Sequence, residues 1–240
     1  MKGRGADEAA GTMKQLALGV RLRADAVFAS FAVGDNAEAI AALRGAAAAP
    51  VWLWGGRGTG KTHILQAVCA QGLGAAAYFP LSRSFGLPPE ALLGFETGRV
   101  LCLDDVDAVA GDTVWEATLF RMFNDAAELG TRLIFAAGAA PRALPWILPD
   151  WVSRAASSVV YQLRELDDAG RREALTLRAA QRGLELPQDA ADYLMHRIPR
   201  DLPSLLGVMD DLDEAALVAQ RRLTIPFIRD ALETFAKKAP

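Results

Sequence analysis

The residues best suited to chemistry fall in one short run, Gly55-Gly56-Arg57-Gly58-Thr59-Gly60-Lys61-Thr62. Its glycines let successive backbone N–H groups turn toward one anion, and a helix beginning at Lys61 adds the positive end of its dipole. Lys61 can then reach the outer phosphates of a nucleotide, while the Thr62 hydroxyl suits Mg²⁺. A second candidate is Val100-Leu101-Cys102-Leu103-Asp104-Asp105, an apolar strand that ends in paired carboxylates. At the carboxyl edge of a parallel sheet, Asp104 would face the phosphate loop and hold Mg²⁺ through water, leaving Asp105 to polarise a water. An apolar strand ending in two aspartates says little alone; downstream of a phosphate loop it says much more.

Two arginines and the histidines invite competing readings. Arg154, in DWVSRAASS, follows a short predicted helix, where a lone arginine is ordinarily solvated. Arg200, in IPRDLPSLL, opens another helix, where a cap or a surface ion pair is the plain alternative. His63 directly follows the loop and reads as packing, and His196 reads as solvated. The five tryptophans, at 52, 54, 115, 146 and 151, lack interleaved basic residues and so read as core and interface rather than as a base-stacking platform.

The elements that must position these residues are legible from periodicity. Val51 to Trp54 is apolar on both faces, as a buried parallel strand should be, and runs straight into the loop; a helix is expected from Lys61 to about Gly72. Further short apolar runs lie at Ala75 to Leu81, Val100 to Leu103, Leu133 to Ala137 and Val159 to Leu163. Helical patterns come between, notably Val114 to Leu129, and Ala37 to Arg44 capped by Asp35 or Asn36. Strands alternating with helices predict an α/β fold with a parallel sheet covered on both faces.

Beyond Leu166 the strands stop. Asp167, Pro187, Pro199 with Pro203, and Thr224 mark four helix starts, and Leu202, Leu205, Leu206, Met209 and Leu212 form one seam. A small helical bundle should therefore follow the α/β core. The expected divisions are an arm at 1–32, a nucleotide-binding core at 33–165 and a helical lid at 166–240.

Composition sets the outer bounds. A chain of 240 residues, 52% hydrophobic, can bury a full core without disulfides, and no internal repeat suggests a solenoid. The net charge of −3 weighs against a polypeptide that itself grips nucleic acid strongly. Cys69 and Cys102 sit among apolar neighbours and read as buried free thiols. With neither a membrane span nor a secretory signal in the sequence, a cytoplasmic location is expected.

Taken in order, GGRGTGKTHIL, LCLDDVD, LIFAAGAAPRAL, DWVSRAASS and IPRDLPSLLGVMDDLDEAA resemble the AAA+ ATPases of the bacterial DnaA initiator group. QLALGVRLR near the start and RRLTIPFIRDAL near the end bring the chain close to the regulatory inactivators within that group. The resemblance implies an AAA+ P-loop core with a small all-helical lid, Gly55 to Thr62 as Walker A, and Asp104 with Asp105 as Walker B. It places Arg154 at an arginine finger acting in trans and Arg200 at sensor II. Gln15 to Val20 then resembles a sliding-clamp-binding peptide, in which Leu16, Leu18 and Val20 would lie in an apolar groove while Gln15 hydrogen-bonds at one end.

One departure stands out. Where the family carries a polar sensor I residue, this chain reads FAAGAA with Gly138 nearest the position, so intrinsic hydrolysis is expected to be weak. The function implied is a nucleotide-bound adaptor, holding ADP or ATP with Mg²⁺, that docks on the DNA polymerase III sliding clamp and stimulates ATP hydrolysis by DnaA. Contact with DNA would be indirect, and self-association into a homodimer stays open. The alternative is an initiator or helicase-loader ATPase acting directly on nucleic acid.

Overall fold

Val51–Trp54 (β1) lies inside a five-stranded parallel sheet completed by Ala76–Pro80 (β2), Val100–Asp104 (β3), Arg132–Ala137 (β4) and Val159–Gln162 (β5). This is a computed structural model, and it describes residues 22–45, 47–71, 76–83, 88–95 and 98–238. The strand order is β2-β3-β4-β1-β5, with Val51 in register with Ile134 on one side and Val159 on the other. The core helices are Ala37–Arg44 (α1), Lys61–Gln71 (α2), Thr113–Leu129 (α3) and Pro149–Ala156 (α4).

Apart from Arg132 at the start of β4 and Asp104 at the end of β3, the inner strands are apolar because both faces of the sheet are covered. On one face Trp52 and Phe135 pack with Phe123 of α3 and Trp151 of α4; on the other Leu53 and Ile134 pack with Ile40 of α1 and Ile64 of α2. The strand at 159–163 fits its expectation less well. As an edge strand with one neighbour, β5 leaves Val159 43% and Val160 41% exposed, and only Leu163 just beyond it is fully buried.

Helix α3 starts one residue before the expected run, after Asp112, whose carboxylate accepts from the N–H groups of Val114 (2.9 Å) and Trp115 (3.2 Å). The expected cap on α1 is corrected: neither Asp35 nor Asn36 makes a side-chain cap. The Asn36 amide is buried, accepts from Arg164 N (2.7 Å) and donates to Arg164 O (3.1 Å). A buried primary amide meets both needs on an extended backbone, which the end of its own helix does not offer. At the other end of α1, the Arg132 guanidinium donates to the carbonyls of Ala42, Leu43 and Gly45 at 2.7–3.1 Å. Its positive charge thus meets the negative end of the helix dipole without any carboxylate.

The lid comprises Asp168–Gln181 (α5), Gln188–Arg197 (α6), Leu202–Ala219 (α7) and Ile225–Lys238 (α8), packed around Leu175, Leu194, Leu205, Met209, Leu212 and Ile228. The leucine seam of α7 divides. Leu205, Met209 and Leu212 enter the lid core, whereas Leu202 and Leu206 face the cleft beside the core. Cys69 and Cys102 are both free and buried. Among the described residues no helix is long and apolar enough to cross a membrane.

Candidate functional site

The loops leaving β1, β3 and β4 all emerge at the carboxyl edge of the sheet, where open α/β folds bind ligands. There they border a cavity of about 690 Å³, within the roughly 300–1,000 Å³ of small-molecule and cofactor sites. Its floor is the glycine loop with Asp105, Asp107 and Gly138; Arg23, Ser30 and Phe31 form one wall, and Ala174, Arg178, Leu202 and Pro203 of the lid form another.

Two loop glycines are required by their surroundings. Gly58 (φ +84°) and Gly60 (φ +92°) have left-handed backbones that other residues resist. A Cβ on Gly58 would also lie 2.7 Å from Pro203 Cδ of the lid, and one on Gly60 would lie 2.6 Å from the Phe31 ring. The loop is thus covered closely from both sides. Lys61 Nζ donates to the carbonyls of Gly55 (2.7 Å) and Gly56 (2.9 Å), which holds the ammonium within the loop's concavity.

Asp104, at the end of β3, is 1% exposed, accepts from Tyr78 Oη (2.8 Å) and Asp105 N (3.0 Å), and hydrogen-bonds the Thr62 side chain. Burial raises its carboxyl above the usual carboxylate range, against those hydrogen bonds. Burial together with the Asp104 charge also drives the Tyr78 phenol far above its ordinary value, so Tyr78 stays a donor. Asp105 has a left-handed backbone (φ 53°, ψ 44°), a strained conformation for a non-glycine residue, and Ser82 Oγ donates to its carboxylate.

The arrangement fits a nucleoside polyphosphate with Mg²⁺. It offers a concave row of N–H groups, a lysine, a hydroxyl already beside a buried carboxylate, and a wall of mixed polar and apolar groups large enough for a nucleoside. Mg²⁺ is commonly held by one or two protein oxygens plus phosphates, and Thr62 with Asp104 supplies that pair.

Residues 168–232 match the family model described as Hda, lid domain. The whole described chain has the fold of domain III of the Thermotoga maritima replication initiation protein DnaA, with a TM-score of 0.74, 22% identity, and coverage of 90% of this chain and 99% of that one. Residues 168–232 thus carry an Hda-type lid, and the chain as a whole has the AAA+ fold of that DnaA domain. A replication initiator DnaA bound to AMPPCP and single-stranded DNA is similar at a TM-score of 0.66 and 22% identity, over 84% of this chain and 70% of that chain. The Thermotoga maritima RuvB Holliday junction branch migration motor follows at 0.63 and 15% identity, over 82% and 67%. So the core architecture also recurs in a motor.

In this chain, Gly55, Gly56, Arg57, Gly58, Thr59, Gly60, Lys61, Thr62 and Asp105 all line the cavity, with Asp104 directly behind Thr62. Arg200 does not line it. Its side chain is 62% exposed and pairs with Asp168 at 3.5 Å, while Leu202 and Pro203 reach the loop instead. Arg154 stands exposed on the last turn of α4 and belongs to no wall of this cavity. Gln15, Leu16, Leu18 and Val20 lie outside the described residues.

Sequence reasoning missed two features of the cleft. The first is Asp107. A Cβ on Gly138 would come within 3.0 Å of Asp107 Oδ2, so a carboxylate from the loop after β3 fills the space a side chain at Gly138 would take. The LCLDDVD run contains this residue, but nothing in its spacing distinguishes a third aspartate from a solvated one.

The second is a strap formed by residues 23–31. Arg23 N donates to Gln66 Oε1 (3.1 Å), and His63 Nε2 lies 3.1 Å from Val27 O and 3.2 Å from Ser30 Oγ, tying the strap to α2. Burial pushes the His63 imidazole below its ordinary pKa, so it is neutral near pH 7 and its Nε2–H can donate to Val27 O. On the lid side, Asp25 pairs with the buried Arg178, which also forms a two-pronged bond with Asp210 (2.8 Å each), and Gln181 Nε2 donates to Asp25 O (2.7 Å).

Burial alone would raise the Asp25 carboxyl, but Arg23 and Arg178 overcome it and hold the group well below the usual carboxylate range. A depressed native pKa means that the unfolded state binds more protons in acid, so the stabilisation is present above about pH 4 and fades as pH falls through the native value. Asp25→Asn should therefore cost about 1–2 kcal/mol at pH 7, with the gap to wild type closing below about pH 4. Denaturant melts at pH 7, 4 and 3 check this; a gap of constant size would exclude the ion pair as its source.

Proposed function

We propose that this chain is a nucleotide-bound adaptor that switches off the replication initiator DnaA. It holds ADP, or ATP with Mg²⁺, in the cleft between core and lid. Through residues 15–20 it docks on the DNA polymerase III sliding clamp in the cytoplasm, and it presents Arg154 to ATP carried by DnaA. The observation that carries this reading is the separation of two parts: a phosphate loop fitted to a nucleotide of its own, and an exposed Arg154 on α4 that does not serve that loop. An arginine that cannot reach its own cavity is free to enter a neighbour's, where a guanidinium stabilises the charge on a transferring phosphoryl group.

Gly138 supports the same division of labour. With no side chain at the end of β4 and a carboxylate rather than a neutral donor beside it, the cleft is poorly equipped to place an attacking water, which suits a nucleotide retained for structure.

The test is a single-turnover assay of ATP bound to DnaA, with clamp loaded on DNA, with and without this protein. Hydrolysis should accelerate by about 10³-fold or more, the usual contribution of an arginine finger, and omission of the clamp should remove the acceleration. Hydrolysis at the same rate with and without the protein would overturn the proposal.

A further inference from the structure

Resting on the reading of Arg154 above, we infer that Glu116 is the residue that positions the finger. Glu116 sits one turn into α3 and is 0% exposed, yet no arginine or lysine faces its carboxylate among its hydrogen-bond partners. Instead it accepts three backbone N–H groups. Gly111 N lies 2.9 Å from Oε1; Ile147 N lies 3.1 Å from Oε1 and 2.9 Å from Oε2; Leu148 N lies 2.6 Å from Oε2. A buried carboxylate costs several kcal/mol of desolvation unless such bonds repay it, so its retention at a helix position that would accept an apolar residue calls for a reason.

The bonds join two segments that matter. Gly111 ends the turn that begins at Asp105, beside the phosphate loop. Leu148 is the residue before α4 and offers no side-chain cap of its own, so Glu116 serves as a cap delivered from another helix. Helix α4 is only eight residues long and carries Arg154 in its last turn. Its inward side is seated by Trp151, buried between Trp146 and Phe135, and by buried Ala155. Apolar seating resists lifting, but a tryptophan in a socket still lets a short helix slide and tilt. Directed bonds at Ile147 and Leu148, the two residues that lead into α4, fix where and at what angle the helix starts, and with it the direction in which Arg154 projects about one and a half turns later.

Glu116→Gln replaces one acceptor oxygen with an N–H₂ that confronts N–H donors. It should lower the maximal rate of DnaA-bound ATP hydrolysis by on the order of tenfold, as small displacements of catalytic groups do. The concentration of protein giving half the effect, and ADP affinity, should stay near wild type. The deciding measurement is the same substitution in an Arg154→Ala background, where it should bring no further loss. An equal further loss there would show that Glu116 acts by another route and overturn the inference, as would an unchanged maximal rate in the single variant. If Arg154→Ala alone keeps full activity, it is the finger reading that fails. Should Glu116→Gln melt below the assay temperature, Ile147→Pro removes one donor at an exposed position, leaves the carboxylate intact, and carries the same comparison.

Discussion

Arg154→Ala should reduce the acceleration of DnaA-bound ATP hydrolysis by about 10³-fold while leaving the protein folded, nucleotide-loaded and able to bind the clamp. The size follows from what a guanidinium does when charge spreads over a phosphoryl group in a water-poor interface: it stabilises the transition state far more than the ground state. The selectivity follows from position. Arg154 is exposed, makes no side-chain hydrogen bond or ion pair among the described residues, and lies outside the wall of the cavity in its own chain. Alanine is also a better helix former than arginine, so α4 should keep its seat on Trp151. Arg154→Lys should recover only part of the rate, because an ammonium keeps the charge but loses the planar fork. Single-turnover hydrolysis with saturating protein distinguishes these outcomes, and an Arg154→Ala rate equal to wild type would remove the finger from the account.

Lys61→Ala should weaken ADP binding by about 10²-fold or more. Each hydrogen bond to a charged group contributes roughly 1.5–3 kcal/mol, and in the proposed nucleotide complex Lys61 would face the outer phosphates. The variant also loses the bonds from Nζ to Gly55 and Gly56, so the loop becomes less well formed before any ligand arrives. Wild type should gain thermal stability as ADP is added, following the ratio of ligand to dissociation constant, and the variant should gain almost none over the same range. A titration calorimetry signal of undiminished affinity would place the phosphates elsewhere. Arg200→Ala offers a useful contrast: exposed and paired with Asp168, it should shift ADP affinity much less than Lys61→Ala does.

Residues whose partners lie close in sequence, or whose chemistry demands a fixed spacing, can be read before any fold is known. The phosphate loop, Asp104 behind Thr62, the helix from Ala37 to Arg44 and the cap at Asp167 are of this kind. Residues that act across distant segments are not. Glu116 looks like any acid on a helix until Ile147 and Leu148 are brought to it, and Asp25 and Arg178 lie 153 positions apart. Asn36 carries the composition of a helix cap but spends its amide on Arg164, because burial and an extended neighbour outweigh the local option. Gly138 shows the same limit from the other side: a missing side chain is visible in sequence, whereas Asp107 filling its place depends on how two loops meet.

The strap has a mechanical meaning beyond its bonds. Core and lid are covalently continuous only through the segment after β5, and a single joint of that kind would leave the lid free to rotate about all three axes. The Asp25–Arg178 pair adds a second attachment, and a body pinned at two points keeps one rotational degree of freedom, about the line that joins them. A lid fastened at both the linker and the strap is held as a cover with Pro203 seated over Gly58, and loss of the Asp25–Arg178 pair should loosen that seat.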